Sequence, residues 1–137
     1  MEYPAEQFIE RLTGLRSPDA DRPDDFSGVG MGEIFRLARE CMDMSPLEIE
    51  RLLENPIHAV RVGAVSIMDW QARGRTTPDE RRRALFDLYV RRHDRIDSWD
   101  LVDRSAIHVV GEYLTDKLRG ILREGASGRR VRAPDSA

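Results

Sequence analysis

The 137-residue chain has few of the features that mark secreted, membrane-spanning or metal-binding proteins. It contains one cysteine, Cys41, so no disulfide can form within the chain. No run approaches the roughly 20 apolar residues that span a bilayer, and the first residues lack the basic start and apolar stretch of a signal peptide. The three histidines are scattered without the spacing of a metal site. These absences predict a cytoplasmic protein without a metal or another cofactor and without membrane contact.

Strand patterns are also missing, because no segment alternates apolar and polar residues between turn residues. Apolar residues recur instead at helical spacing, which predicts helices over residues 4–15, 31–43, 45–55, 56–73, 77–92 and 98–116. Ser45-Pro46-Leu47-Glu48 is typical of a helix start, with serine at the N-cap, and Thr77-Pro78-Asp79-Glu80 is similar. Cys41 falls within a helical pattern, which favours a small buried apolar residue over a nucleophile.

The predicted architecture is all-α, with consecutive helices forming antiparallel pairs. The length fits one domain, which we place at residues 1–124, with a loop at 16–29 and a disordered tail at 125–137. The helices at 45–55 and 56–73 form one pair, and those at 77–92 and 98–116 form another. Consecutive helix pairs of this length are typical of stacked HEAT-like repeats in an α-solenoid. An ordinary helical bundle is the alternative.

Charge is distributed unequally along the chain. Residues 1–56 carry a net charge of −7, whereas residues 57–137 carry +4. All but one of the 22 basic residues are arginine, a residue suited to bidentate phosphate contacts. Arg91, Arg92 and Arg95 are the candidates for phosphate contact, whereas the arginines at 81–83 are interpreted as a solvated helix face. This asymmetry is compatible with nucleic-acid binding without proving it.

Residues 97–103 read Asp-Ser-Trp-Asp-Leu-Val-Asp, and they look like the start of a helix with Asp97 and Ser98 as caps. Trp99 and Asp103 are four residues apart and therefore share a helix face. The apolar positions that extend this face are Ile107, Val110 and Leu114. A carboxylate in an apolar stripe is either paired or kept for chemistry. The candidate partners for a paired Asp103 are Arg61, Arg92 and Arg104.

Several segments, taken in order, resemble the DNA alkylation repair family of the AlkD type, which are HEAT-like-repeat DNA glycosylases. They are residues 61–69, 89–94, 96–103 and 111–114, and the resemblance covers roughly residues 28–116. The Trp-Asp-x-Val-Asp core is its most specific element. In this resemblance Trp99 matches the family's aromatic residue and Asp103 its catalytic carboxylate. Gly30, Met31 and Gly32 resemble a loop near the DNA backbone, where the family usually has a proline that this chain lacks.

The resemblance implies a DNA repair enzyme that excises cationic alkylated purines, such as 3-methyladenine and 7-methylguanine, from duplex DNA. The base is already cationic, so its glycosidic bond is weak. Asp103 is then expected to stabilise positive charge on the sugar and to orient a water molecule. Trp99 is expected to pack against the deoxyribose.

The resemblance reaches only the N-terminal part of the family, whose repeats normally continue beyond this point. Two alternatives therefore stay open beside the enzyme. One is a helical DNA-binding module with impaired catalysis. The other is a HEAT-like interaction module that self-associates or binds a protein partner through exposed C-terminal helices.

Overall fold

The computed structural model describes residues 3–22, 24–96 and 106–126, which form helices and turns without a strand. The α-helices are α1 (Ala5–Thr13), α2 (Met31–Ala38), α3 (Pro46–Leu53), α4 (His58–Arg73), α5 (Asp79–Arg91) and α6 (Glu112–Ala126). Short 3₁₀ turns at Arg39–Cys41 and His93–Arg95 follow α2 and α5. A π-helical segment, Ala106–Gly111, leads directly into α6. The all-α prediction is confirmed.

Helix α4 is the centre of the core. It packs against α2, α3, α5 and the π-helical segment, and every residue from Val62 to Asp69 is buried. Such burial on all sides explains why its apolar residues are not confined to one stripe. The residues predicted to face inward, namely Val60, Ala64, Ile67 and Met68, are all fully buried.

The predicted start of α3 is confirmed, and one of its residues also caps the start of α1. The Ser45 hydroxyl accepts a hydrogen bond from the backbone N–H of Glu48 at 3.3 Å, and Pro46 occupies the first helical position. The Glu48 carboxylate accepts a hydrogen bond from the backbone N–H of Ala5 at 2.8 Å. Because Pro4 at the N-cap of α1 provides no side-chain cap, Glu48 supplies one from another helix.

Two proline positions differ from the prediction. Pro56 lies before α4, whose N-cap is Ile57, and the side chain of Asn55 accepts the N–H of Ile57 at 2.9 Å. Pro78 is itself the N-cap of α5, without a side-chain hydrogen bond, so the expected capping by Thr77 does not occur. Proline is compatible with both places, because its fixed φ suits the first helical turn and also the extended residue before it.

Helix α2 is shorter than predicted, because the chain tightens into a 3₁₀ turn after Ala38. The buried amide of Gln71 accounts for this ending. Its Nε2 donates to the carbonyl oxygens of Cys41 at 3.0 Å and of Met44 at 2.8 Å, which satisfies groups that a helix end leaves free. Cys41 is fully buried, as predicted, and burial raises the pKa of its thiol to about 12.

The apolar stripe predicted to continue through Val110 and Leu114 is wrong in its last position. Val109 and Tyr113 are the buried residues here, whereas Leu114 is 50% exposed. A π-helical turn adds a residue to the helical repeat and so rotates the residues that follow it. Helix α6 also continues past Asp116 to Ala126. It includes the first two residues of the predicted tail, and residues 127–137 lie outside the described part.

Candidate nucleic-acid interface

The predicted catalytic pair, Trp99 and Asp103, lies within residues 97–105, outside the described residues. The structure does describe the chain on either side of this segment. Ile96 and Val109 are both buried, and the π-helical segment packs against α4 and α5. The segment is therefore bounded at both ends by residues anchored in the core, and the role of the pair stays a prediction.

Two of the arginines predicted to contact phosphate meet at one carboxylate of α3. Arg91 and Arg92 each donate from Nη1 to the same Glu50 oxygen, at 2.7 and 2.8 Å. Arg92 also pairs with Glu54 and Asp94. The side chain of Arg92 is 16% exposed and that of Arg91 is 57% exposed. Arg91 therefore keeps more accessible surface for DNA than Arg92.

The third arginine of this group caps a helix end. Arg95 donates from Nε to the carbonyl of Leu53 at 3.1 Å and from Nη2 to the carbonyl of Glu54 at 3.3 Å. These are C-terminal carbonyls of α3, where a cation also complements the helix dipole. Arg95 and Arg92 thus connect α5 to α3, and phosphate contact by them stays a prediction.

The glycine loop predicted to approach DNA forms the start of α2. Gly30 is the N-cap, and its N–H donates to the Glu33 carboxylate at 3.2 Å. Met31 is 38% exposed, and a side chain at Gly32 would meet no atom within 4 Å. This helix start is open to an approaching molecule, although Glu33 already uses one of its N–H donors.

Trp70 of α4 contacts α2, and the sequence does not predict this contact between helices. The indole ring stacks on Phe35 of α2, with ring centroids 4.5 Å apart. Its Nε1 donates to the carbonyl oxygen of Phe35 at 2.8 Å. The ring of Trp70 is therefore fixed in position by both stacking and a hydrogen bond, across the contact of α2 with α4.

Two guanidinium groups lie against this aromatic pair. Arg73 is 4.7 Å from the Trp70 ring centroid and 5.3 Å from that of Phe35, and Arg39 is 5.2 Å from the Trp70 ring. Arg73 also pairs with the buried Asp69. We call Phe35, Arg39, Trp70 and Arg73 the Trp70 cluster. Arg39 and Arg73 follow the aromatic residues by four and three positions, which puts each pair on one helix face, but nothing in the sequence joins the two helices.

Comparison with the sequence profiles of protein families identifies the family of the chain. The sequence profile of the DNA alkylation repair enzymes matches residues 10–125. The chain belongs to the DNA alkylation repair enzyme family. Comparison with curated proteins and with solved structures found no match.

Membership in the DNA alkylation repair family points to DNA as the partner of this protein. The matched residues include the Gly30–Gly32 loop, the Trp70 cluster, the three arginines and the Trp99–Asp103 motif. Among the described residues, no group of histidine, cysteine, aspartate or glutamate could hold a metal ion. None of the described helices is long and apolar enough to cross a membrane.

Proposed function

We propose that this DNA alkylation repair protein is a DNA N-glycosylase that excises cationic alkylated purines from duplex DNA. The 3-methyladenine and 7-methylguanine types are its expected lesions. The observation that carries this proposal is the family match over residues 10–125, because it includes the Trp-Asp-x-Val-Asp motif. Asp103 is the proposed catalytic residue, and Trp99 is its proposed neighbour at the lesion.

The proposed reaction needs little acid catalysis. When the C1′–N bond breaks, its electron pair neutralises the cationic base, which leaves as a neutral molecule. Positive charge then develops on the sugar, as in glycoside hydrolysis, and the Asp103 carboxylate stabilises it by about 3 kcal/mol. An aromatic face at Trp99 adds roughly 0.5–2 kcal/mol. A water oriented by Asp103 forms the new bond to C1′ and releases a proton.

The contacts among the helices support a HEAT-like stack as the scaffold for this reaction. Helix α3 packs against α4, and α5 packs against both α4 and the π-helical segment before α6. Successive helix pairs therefore contact their neighbours along the chain, as stacked repeats do. In this proposal α4 joins the two pairs, because it packs against α3, α5 and the π-helical segment.

The test is a base-excision assay with Asp103→Asn and a control from the same motif. Methylated duplex DNA is incubated with the full chain, and the released 3-methyladenine and 7-methylguanine are quantified by mass spectrometry. We expect release by the wild type and a loss on the order of 100-fold in Asp103→Asn. Asp100→Asn is the matched control, because an acidic residue in the first turn of the helix predicted at 98–116 favours the helix dipole and needs no role in the reaction.

Release of no base by the wild-type protein would contradict the proposed activity. Equal losses in the two variants would contradict the role of Asp103. Binding of DNA without any excision would instead assign the chain to the DNA-binding modules with impaired catalysis.

A second candidate function rests on two side chains of α6. Leu114 and Leu118 are 50% and 57% exposed, and they lie one turn apart on the same helix face. Exposed apolar side chains in such an arrangement are typical of helix contacts. A HEAT-like module that self-associates or binds a protein partner is the function they favour. Sedimentation at increasing protein concentration distinguishes self-association from a monomer.

A further inference from the structure

We propose that the Trp70 cluster is a binding site for a phosphate group of the duplex DNA backbone. This inference rests on the proposed function in so far as it takes DNA to be the substrate. It concerns how the DNA backbone is held, whereas the proposed function concerns the reacting base. The residue that we expect to contact the phosphate is Arg39, supported by Trp70 and Arg73.

The first argument is the charge of the cluster. The cluster contains two guanidinium groups, and one of them, that of Arg73, pairs with the buried carboxylate of Asp69. Among the described residues Arg39 has no carboxylate partner, and it is exposed. The cluster therefore carries one positive charge that the described part of the protein does not neutralise. A phosphate group is an anion that a guanidinium binds with favourable geometry.

The second argument is the orientation that the aromatic rings give to the arginines. A guanidinium that rests on an aromatic ring uses the face of its plane, and its N–H groups point outward from the edge. Those N–H groups are the donors that bind two phosphate oxygens at once. Because Trp70 is fixed by the Phe35 ring and the Phe35 carbonyl, less side-chain entropy is lost when Arg39 binds.

The same contacts argue against a base as the ligand of the Trp70 cluster. The Trp70 ring is already covered in part by the stacked Phe35 and by two guanidinium groups. A neutral base would have to displace one of them in order to stack. A cationic alkylated base would also be repelled by Arg39 and Arg73. The backbone of DNA is therefore the part of the substrate that fits.

The location of the cluster determines what a phosphate contact there does for DNA binding. Helix α4 carries Trp70 and Arg73, and the π-helical segment that follows the proposed catalytic motif packs on the same helix. A phosphate held at the cluster therefore fixes the duplex relative to the helix against which the π-helical segment packs. Such contacts set the register of the protein on DNA without reading its sequence.

Arg39→Gln is the test, because Arg39 lacks an ion pair in the described structure, whereas a change at Arg73 would also break its ion pair with the buried Asp69. Binding of the full chain to unmodified duplex DNA is followed by fluorescence anisotropy over a range of salt concentrations. We expect affinity about five-fold lower in Arg39→Gln and a salt slope reduced by about one. Arg39→Lys keeps the charge without the planar stacking, and we expect an intermediate loss.

The matched control is Arg36→Gln, on the same helix. Arg36 lines a separate cleft with Arg11, Glu33 and Glu40, so we expect its affinity and salt slope to equal those of the wild type. Equal losses in Arg36→Gln and Arg39→Gln would indicate general electrostatic attraction and overturn the proposed site.

A second measurement reports on Trp70 itself. The chain has two tryptophans, so Trp99→Phe leaves Trp70 as the only one. We expect its emission to shift when duplex DNA is added, because a phosphate approaches the guanidiniums that cover the ring. Unchanged emission at saturating DNA would overturn the site.

The outcomes separate this inference from the proposed activity. Excision that persists with unaltered DNA affinity in Arg39→Gln rejects the phosphate site and leaves the glycosylase proposal intact. If the wild-type protein binds DNA but releases no base, and Arg39→Gln binds DNA more weakly, the results support the phosphate site and reject the glycosylase activity. A wild-type protein without DNA affinity overturns both.

Discussion

The surroundings of Gly63 in α4 leave no room for a side chain. A Cβ built on Gly63 would lie 2.4 Å from Cε2 and 2.5 Å from Cζ of Phe8. The Phe8 ring is fully buried, so it has little room to move aside. Glycine is normally unfavourable inside a helix, and its presence in α4 is explained by the Phe8 ring that packs against it.

We expect Gly63→Ala to destabilise the protein even though alanine is the better helix former. Overpacking costs about 1–3 kcal/mol, and the gain in helix propensity is about 1 kcal/mol. The net loss in the free energy of unfolding is then up to about 2 kcal/mol. Urea denaturation followed by circular dichroism measures it.

Gly120→Ala is the control for this prediction. Gly120 lies inside α6, where an added Cβ would meet no atom within 4 Å. We expect that substitution to stabilise the protein by about 0.5–1 kcal/mol. A Gly63→Ala protein as stable as Gly120→Ala would show that Phe8 does not need the space.

At the scale of elements, a carboxylate on α3 joins it to α5. Hydrogen bonds from Arg92 and Arg91 hold the pKa of Glu50 below its ordinary value of 4.5. The folded state therefore binds the proton of Glu50 less readily than the unfolded chain does. Its contribution to stability is complete above the unfolded pKa and is lost as the pH falls through the lower, folded pKa.

We expect Glu50→Gln to remove this part of the acid sensitivity. The difference in the free energy of unfolding between wild type and variant should be greatest near neutral pH. It should shrink once the pH falls below about 4.5. Denaturation curves from pH 7 to pH 3 measure it, and parallel pH profiles for the two proteins would contradict the role of the ion pairs.

The boundaries of the helices were predicted well where local chemistry fixes them. Ser45 and Pro46 define the start of α3 because a cap needs only neighbouring residues. The π-helical turn before α6 was missed, because it alters the register without a residue pattern of its own. The correct burial of Val109 in place of Leu114 therefore required the structure.

The candidate site was harder to predict than the helices, because charge alone does not identify partners. The sequence left Arg92 available for phosphate contact, but in the structure it pairs with Glu50, which is 42 positions away. The Trp70 cluster was missed for the same reason, since Phe35 and Trp70 lie on different helices. The Trp99–Asp103 motif is the reverse case, predicted from the sequence but outside the described residues.

For the whole molecule, helix α4 determines whether the domain unfolds as one unit. It contacts α2, α3, α5 and the π-helical segment, so loss of its packing affects every neighbour at once. A small domain with one core usually unfolds in a single transition.

Ile67→Ala tests this dependence. Ile67 is fully buried in α4, and we expect a loss of about 2–5 kcal/mol in the free energy of unfolding with a single transition. Leu47→Ala is the control, because Leu47 is 63% exposed and such changes stay within about 0.5 kcal/mol. Circular dichroism and tryptophan emission should give coincident curves, and separate transitions would contradict a single cooperative core.

The contact of the Phe8 ring with Gly63 has a consequence for the evolution of the family. Positions 8 and 63 share one small volume, so neither can enlarge independently. Relatives with alanine or serine at position 63 are expected to carry a smaller side chain than phenylalanine at position 8. Natural variation at these two sites, 55 residues apart, should therefore be correlated, and an alignment of family members can reveal that correlation.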